Sequence, residues 1–506
     1  MIRRLLVNTG SNVLVLVVKM AITFVMTPIF VHNLGAYDYG LWEMLGAVIG
    51  YMGLLDLGIK PAISRYAAKH QAENDREALQ SVYASTFVFM GAVGVLLLAF
   101  FSCWALWFPG SLAPEGESYQ RYTLLLLIIG MQLLISFPGY VAESYLEGFQ
   151  RYYLKNNIVL INTLIGTLVI YIYITPENAL ILLAAANAIG VVIKYVIYMA
   201  VLARPSYGAI RFQLRAFSGS RLKEIVVFGF KSFIQGVATR IENATDALVI
   251  GIMLGPAVVP IYSIPANLVN YIRTIAATLT HAFMPLFSSL SAVNEHERIR
   301  RIYLMSSKYV VGLLVPMSAG VVMIGEPFLK LWIGPDFFKD ADLIILLLVI
   351  FSVVPFLNPF ASRYLTAIGE HGIYARLTPI SAIINIVLTV ILVHYMGVVG
   401  AALASVVPVF IFFPVFLRFV CKHLEITPYR YIRESILPSL LPSLLMVAGL
   451  WMFRSEVGID SYAELLLAIG LGAAIYGVLF LGLALTPGER EFVWRKLGLG
   501  RAGGRG

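Results

Sequence analysis

Residues 179–203 read ALILLAAANAIGVVIKYVIYMAVLA and contain one charged side chain, Lys194. A helix of about 20 mostly apolar residues is long enough to cross the hydrocarbon core of a bilayer. Similar segments follow one another along almost the whole chain of 506 residues, of which 59% are hydrophobic and 13% are charged. The mean hydropathy is +0.84. The sequence therefore predicts an all-α, polytopic membrane protein with little room for a soluble catalytic domain.

Charged stretches and stretches rich in proline or glycine divide the chain into about fourteen predicted spans. These spans are 9–30, 40–62, 82–107, 121–147, 157–175, 179–203, 225–254, 258–290, 304–325, 341–367, 374–396, 399–421, 434–453 and 462–485. Both termini then lie on the same side of the membrane, because the number of spans is even.

The loops are strongly asymmetric in Lys and Arg: 26 lie on the side of the termini and 4 on the other side. Positive charge collects on the cytoplasmic side, so both termini are predicted to be cytoplasmic. The net charge of +9 is interpreted as this topology signal and not as a sign of a nucleic-acid partner. The basic tail at 486–506 is predicted to lie on anionic membrane lipids.

An internal repeat with an offset near 220 residues divides the first twelve spans into halves. Leu34-Gly35 matches Leu254-Gly255, and Trp42 matches Tyr262. With six spans each, the halves insert the same way up. The predicted organisation is an N-lobe at 1–203, a basic cytoplasmic linker at 204–224, a C-lobe at 225–421, two further spans within 422–485 and the tail at 486–506.

Several kinds of active site are excluded by the residue pattern. The two cysteines, Cys103 and Cys421, lie far apart in apolar segments, and no phosphate-binding loop or H-E-x-x-H motif is present. Asp340-Ala341-Asp342 fits the D-x-D of metal-dependent glycosyltransferases but lies in a short external loop. We expect no catalytic residues, no metal site and no cofactor.

Basic residues inside predicted spans are the strongest functional signal, because each costs about 2.5–3.5 kcal/mol in the membrane interior. Lys19, Arg240 and Arg273 lie near the middle of their spans and predict a cationic ligand cavity. Pairing with nearby acids is the alternative explanation. Four further residues lie close enough to a cytoplasmic span end for their side chains to reach the interface: Lys194, Lys231, Lys308 and Arg363.

Acidic residues in the spans are the candidates for ion coupling. Glu242 and Asp246 share a helical face of the seventh span, and Glu43 lies in the second span. These carboxylates could couple transport to protons or sodium, or they could form a stripe of salt bridges within the helix. The sequence leaves both explanations open.

Two stretches resemble a known family. Leu34-Gly35-Ala36-Tyr37-Asp38-Tyr39-Gly40-Leu41-Trp42, followed by Gly53-Leu54-Leu55-Asp56-Leu57-Gly58-Ile59 and Arg65-Tyr66, resembles the N-terminal signature of polysaccharide-type flippases. Asp246-Ala247-Leu248-Val249-Ile250-Gly251 with Ile261-Tyr262-Ser263 resembles their second-half motif, although Pro260 stands where the family usually has glycine. These flippases belong to the multidrug/oligosaccharidyl-lipid/polysaccharide exporter superfamily.

The resemblance implies a V-shaped pair of six-helix lobes with two added C-terminal helices, in the inner membrane of a bacterium. It implies alternating access that moves undecaprenyl-diphosphate-linked oligosaccharide from the cytoplasmic to the outer leaflet. Lys19, Arg240 and Arg273 would contact the diphosphate or acidic sugars. Glu43, Glu242 and Asp246 would serve proton or sodium coupling. The expected partners are the lipid-linked oligosaccharide, membrane lipids, and a polysaccharide polymerase with its assembly proteins.

Three other functions fit parts of the same pattern. A cation-coupled multidrug exporter of this superfamily would place acids in the first lobe, whereas the first span offers Lys19 and no acid. A glycan polymerase or ligase would need a sizeable external loop, and the longest one here, near 326–341, is short. A lipid II flippase differs from the favoured function only in its cargo.

Overall fold

The structure is a computed structural model that describes residues 2–207, 209–281, 283–335, 341–370 and 372–496. Side chains are described over the same ranges, apart from 2–9, 231–232, 234–236, 238–244 and 492–496. Within these ranges the regular elements are all helical, and no strand occurs.

Seventeen α-helices follow one another along the described chain. The first seven are α1 (Ile2–Met52), α2 (Ile59–Ala72), α3 (Arg76–Trp107), α4 (Gln120–Gly148), α5 (Tyr152–Tyr173), α6 (Ala179–Leu202) and α7 (Gly219–Leu254). The next five are α8 (Val259–His281), α9 (Phe283–Ala292), α10 (His296–Trp332), α11 (Ala341–Val353) and α12 (Ala361–Ala367). The last five are α13 (Gly372–His423), α14 (Pro428–Tyr431), α15 (Leu437–Glu456), α16 (Tyr462–Leu479) and α17 (Pro487–Lys496).

Two glycines divide the longest helices. Gly35 has φ 70° and ψ 176° inside α1, and Gly397 has φ 59° and ψ −139° inside α13. Side chains with a Cβ rarely adopt a positive φ, so glycine is the residue that allows the chain to turn there without strain. Each glycine lies between two spans predicted from the sequence, so α1 and α13 each supply two spans.

The second predicted span ends earlier than expected. Its helix stops at Met52, and Gly53–Asp56 form a 3₁₀ turn, whereas the sequence predicts a helix to residue 62. Leu57 and Gly58 adopt left-handed conformations, and the Asp56 carboxylate accepts a hydrogen bond from the Gly58 amide at 2.8 Å. The residues after this turn form α2, a separate helix too polar to count as a span.

The spanning architecture predicted from the sequence is confirmed. Eleven helices of the described chain are long and apolar enough to cross a membrane, and two of these contain the breaks at Gly35 and Gly397. Counting each of these two as two spans and adding α7, whose segment Thr245–Leu254 is also apolar, gives the fourteen expected spans. The chain is an all-α, multi-pass membrane protein.

The helices pack into two compact units. The first contains Met1–Gly251 with Gly255–Val259, and the second contains Ile252–Leu254 with Pro260–Gly506. Most of α7 therefore packs in the first unit, although the sequence repeat assigns it to the second lobe. The lobe boundary at 204–224 stays a prediction.

A glycine contact holds α7 in the first unit. Both Gly58 and Gly229 are buried, and a Cβ on Gly229 would lie 2.8 Å from the carbonyl oxygen of Gly58. A Cβ on Gly58 would overlap the carbonyl oxygen of Gly229. Neither position has room for a side chain, so the two backbones touch directly at the start of α2.

Each unit has its own buried core. In the first unit α4 packs between α3 and α6, and the buried Tyr145 hydroxyl donates to the Leu79 carbonyl at 2.6 Å. The second unit has an aromatic core of Phe287, Tyr303, Phe360 and Tyr364, which are almost fully buried. These cores fix the helices that carry the charged residues described next.

Candidate functional site

Four lysines of the first unit come together around α6. Lys194 lies about two turns before the end of α6, and its Nζ is 4.1 Å from the centroid of the Tyr195 ring. Lys194 interacts electrostatically first with Glu143 of α4 and then, more weakly, with Lys19 of α1, Lys60 of α2 and Lys155 of α5. We call Lys19, Lys60, Lys155 and Lys194 the lysine cluster.

Lys155 is the best-paired member of the lysine cluster. Its Nζ lies 2.5 Å from the Glu147 carboxylate and 3.6 Å from that of Glu143, both on α4. The Tyr195 hydroxyl donates to Glu143 at 3.3 Å. These contacts fix two carboxylates and one ammonium at the ends of α4 and α5, and they place the Tyr195 ring against Lys194.

Lys60 has an aromatic and an acidic neighbour. Its Nζ lies 3.2 Å from the centroid of the Tyr140 ring, which is favourable because the face of an aromatic ring is electron-rich. Asp56, in the turn before α2, is 3.7 Å away. The early end of the second span thus brings Lys60 to the cluster, which the sequence-based boundary at residue 62 did not predict.

Counted over the described side chains, the cluster carries more positive than negative charge. Asp56, Glu143 and Glu147 are three carboxylates for four ammonium groups, and within the described side chains no carboxylate lies within 4.0 Å of Lys19 or Lys194. Lys194 is half-buried and Lys19 is exposed. A cation held partly out of water attracts an anion more strongly than a fully solvated one does, because the local dielectric constant is lower.

The position of Lys19 is fixed by polar contacts one helix away. The buried Asn156 of α5 donates from Nδ2 to Ser11 Oγ at 2.9 Å and to Asn12 Oδ1 at 2.6 Å. Lys19 follows Asn12 by about two turns of α1. These hydrogen bonds hold the N-terminal part of α1 against α5 and so present Lys19 near the other three lysines.

The six residues singled out from the sequence are dispersed. Arg240 and Glu242 lie on the helical backbone of α7, but their side chains are outside the described residues. Arg273 belongs to the second unit, where its guanidinium carbon lies 5.2 Å from the Phe351 ring centroid. Of the six, the structure brings Lys19 to the lysine cluster. The binding roles of Lys19, Arg240 and Arg273 stay predictions.

The predicted coupling acids also occupy separate places. Asp246 of α7 is buried, and the hydroxyl of the preceding Thr245 is hydrogen-bonded to the Tyr51 hydroxyl of α1. Glu43 is half-buried on α1. Their part in proton or sodium coupling stays a prediction.

Lys60, Lys155 and Lys194 are the cluster residues that the sequence analysis missed. Lys60 and Lys155 are among the 26 Lys and Arg residues counted on the side of the termini, and Lys194 was assigned to the interface. A signal was present: Glu143 and Glu147 are four residues apart at the end of α4, and Lys155 lies two residues before the next predicted span. The meeting of α1, α2, α5 and α6 has no local signature in the sequence.

Three other charged groups are explained by pairing. Asp342, part of the rejected D-x-D motif, accepts a hydrogen bond from Arg454 Nη2 at 2.9 Å. Lys308 was expected to reach the interface, and its Nζ lies 2.7 Å from Glu489 of α17, just beyond the last spanning helix, so its buried charge is paired there. In the first unit, Arg121 pairs with Asp38.

Comparisons with known proteins agree with this architecture. EpsK, a membrane protein of Bacillus subtilis, is 22% identical over 97% of this chain and 97% of its own length. The probable flippase AglR of Haloferax volcanii is 22% identical over 92% of this chain and 93% of its own. The solved structure of the lipid II flippase MurJ, in an inward closed conformation, has a TM-score of 0.72 at 15% identity and covers 98% of this chain and 100% of that one.

The family assignment rests on the first half of the chain and the start of the second. Residues 5–291 match the family described as polysaccharide biosynthesis protein, and this range includes all four residues of the lysine cluster. The similarity to MurJ is below 25% identity and shows the fold alone. The chain is a multi-pass membrane transporter that belongs to the polysaccharide biosynthesis protein family.

Proposed function

We propose that this protein is a flippase for lipid-linked oligosaccharides. It moves undecaprenyl-diphosphate-linked oligosaccharide from the cytoplasmic to the periplasmic leaflet of a bacterial inner membrane by alternating access, with both termini in the cytoplasm. The observation that carries the proposal is the lysine cluster, in which the described side chains supply four ammonium groups and three carboxylates, a balance that would suit a diphosphate. Family membership and a relative named as a flippase support the same reaction class.

The charge balance favours an anionic cargo. A diphosphate diester carries two negative charges, and two lysines of the cluster, Lys19 and Lys194, lack a carboxylate within 4.0 Å among the described side chains. At 4 Å and an effective dielectric constant near 20, one such charge pair is worth about 4 kcal/mol before desolvation is subtracted. A cationic drug would meet repulsion here, so the multidrug exporter is the less favourable alternative.

The side of the membrane follows from the same residues. Lys60 and Lys155 lie beside loops that the Lys and Arg asymmetry places in the cytoplasm. A headgroup made on the cytoplasmic side would therefore meet the cluster first. Lys19 is exposed, so a lipid headgroup can reach it while the polyprenyl chain stays in the hydrocarbon core.

A flipping assay tests the proposal. The full chain is reconstituted in vesicles with a fluorescent polyprenyl-diphosphate sugar, and chemical quenching reports the lipid exposed outside. Lys194→Gln should slow flipping about tenfold or more, since a charge-assisted hydrogen bond is worth about 1.5–3 kcal/mol. Lys69→Gln is the matched control, because Lys69 is exposed on α2 and outside the cluster.

Two results would overturn the proposal. One is equal flipping by the wild type and by a Lys19→Gln/Lys194→Gln double variant. The other is rapid wild-type transport of a cationic dye with no movement of the diphosphate lipid. Loss of flipping in Lys69→Gln would contradict a specific role for the lysine cluster, because it would show that removing a lysine outside the cluster also stops flipping.

A further inference from the structure

A second charged site lies in the second unit, apart from the lysine cluster. It is a cavity of about 710 Å³, within the range of pockets that bind small molecules. The cavity is formed by the termini of membrane-spanning helices. Its lining residues come from the start of α10, from the segment between α14 and α15, and from the junction of α16 with α17. Its position is therefore at the boundary between the membrane and water.

The cavity is lined by four cations and three acids, and most of them are already paired. Lys308 pairs with Glu489 at 2.7 Å, and Arg430 pairs with Glu434 at 2.8 Å. Arg300 also lines the cavity and lies 2.7 Å from Glu425 outside it.

Arg301 is the cation of this cavity without an ion pair or hydrogen bond within the described part of the chain. The remaining acid, Glu297, lies one helical turn before it, and no salt bridge joins the two within 4.0 Å. The planar guanidinium of Arg301 can donate two parallel hydrogen bonds to a phosphate. On the polar side of the cavity, Arg301 can therefore donate hydrogen bonds to a bound anion.

The other side of the cavity is lined by the apolar side chains of Leu304, Met305, Pro438 and Ala484. Pro438 and Ala484 line the cavity, and their chain neighbours Leu437 and Leu483 are 53% and 58% exposed. Met305, also in the lining, is 47% exposed. A free phosphate ion would leave these apolar side chains uncovered, whereas a phospholipid would cover them with its acyl chains.

We propose that this cavity binds the headgroup of an anionic glycerophospholipid. Arg301 contacts the phosphate, and the acyl chains lie against Met305 and Pro438 of the lining. The bound lipid would be a resident membrane lipid and not the transported cargo. The site is independent of the proposed flippase activity.

Lipid retention on the intact protein tests this site. The full chain is purified from bilayers of phosphatidylcholine with a minor fraction of phosphatidylglycerol, and native mass spectrometry counts the lipids that remain bound. Arg301→Gln should weaken phosphatidylglycerol binding about fivefold, the typical effect of one basic residue near a lipid surface. Arg298→Gln is the matched control, because Arg298 is exposed on the same helix and pairs with Glu295 outside the cavity.

Competition with inorganic phosphate distinguishes a phospholipid headgroup from a free phosphate ion as the ligand of the cavity. The site predicts that an excess of inorganic phosphate leaves phosphatidylglycerol bound to the wild type. Displacement by inorganic phosphate would overturn the lipid assignment. Equal phosphatidylglycerol retention by wild type and Arg301→Gln would overturn it too, as would equal retention of phosphatidylcholine and phosphatidylglycerol by the wild type.

Discussion

Replacing Lys308 with methionine should release α17 from the second unit. Lys308 is 9% exposed and its partner Glu489 is 20% exposed, and their charged atoms are 2.7 Å apart. Removing one partner of a fully buried pair costs about 3–5 kcal/mol, because the other charge is left without compensation. Glu489 is partly solvated and keeps its hydrogen bonds from Thr486. We therefore expect Lys308→Met to weaken the docking of α17 by about 2 kcal/mol.

Amide hydrogen exchange in detergent measures the release of α17 directly. A loss of about 2 kcal/mol should speed exchange of the α17 amides about 30-fold. Amides around the buried Tyr303 should keep their protection, which shows that the variant is folded. Lys330→Met is the matched control, because Lys330 pairs with Glu326 at 2.8 Å near the other end of α10. Unchanged exchange of α17 in Lys308→Met would refute the reasoning.

The same pair predicts a pH dependence. Burial alone would raise the pKa of Glu489, but hydrogen bonds from Lys308, Thr486 and Tyr309 outweigh it and lower the pKa from 4.5 to about 2. Because the folded pKa lies below the unfolded one, the stabilisation is complete above pH 4.5 and is lost as the pH falls towards 2. Wild-type α17 should therefore stay protected from pH 8 to pH 5 and open below that range, whereas Glu489→Gln should lose this dependence.

Three further changes test other parts of the molecule. Gly58→Ala should lower the midpoint of thermal unfolding by several degrees, because an alanine in the left-handed conformation costs about 1–2 kcal/mol and its Cβ would overlap the backbone of α7. Gly46→Ala should leave the midpoint unchanged, because its Cβ would enter open space. Arg454→Met should also lower this midpoint, since it leaves Asp342 without its ion pair while Glu326 keeps Lys330, and an unchanged midpoint would contradict that. Glu143→Gln removes negative charge from the lysine cluster and should tighten diphosphate-lipid binding several-fold in a titration, whereas the exposed Glu77→Gln should not.

The spanning fold follows from the sequence because hydrophobic length and loop charge are local properties. The breaks at Gly35 and Gly397 lie between predicted spans, since glycine marks places where the chain can adopt a positive φ. The end of the second span was misplaced because Leu54, Leu55, Leu57 and Ile59 continue the apolar pattern through a turn. That turn is fixed by the Asp56 carboxylate and by two left-handed residues, which hydropathy does not register.

The candidate site could be predicted only in part. Lys19 stands out because its charge is isolated in the middle of an apolar span, but its neighbours come from three other helices. Lys194 lies 175 positions further along the chain, and only the packing of α1, α5 and α6 shows that the two interact. The same is true of Lys308 and Glu489, which form a contact over a separation of 181 residues. Long-range pairing decides whether a buried charge is structural or available to a ligand.

The most direct test of the lysine cluster compares two lipids that differ only in their headgroup. Binding of undecaprenyl diphosphate and of undecaprenol to the purified full chain is measured for the wild type and for the Lys19→Gln/Lys194→Gln variant. The wild type should prefer the diphosphate, and the variant should lose about tenfold or more of that preference with its undecaprenol affinity unchanged. An equal preference in both proteins would contradict the assignment of the cluster as the diphosphate site.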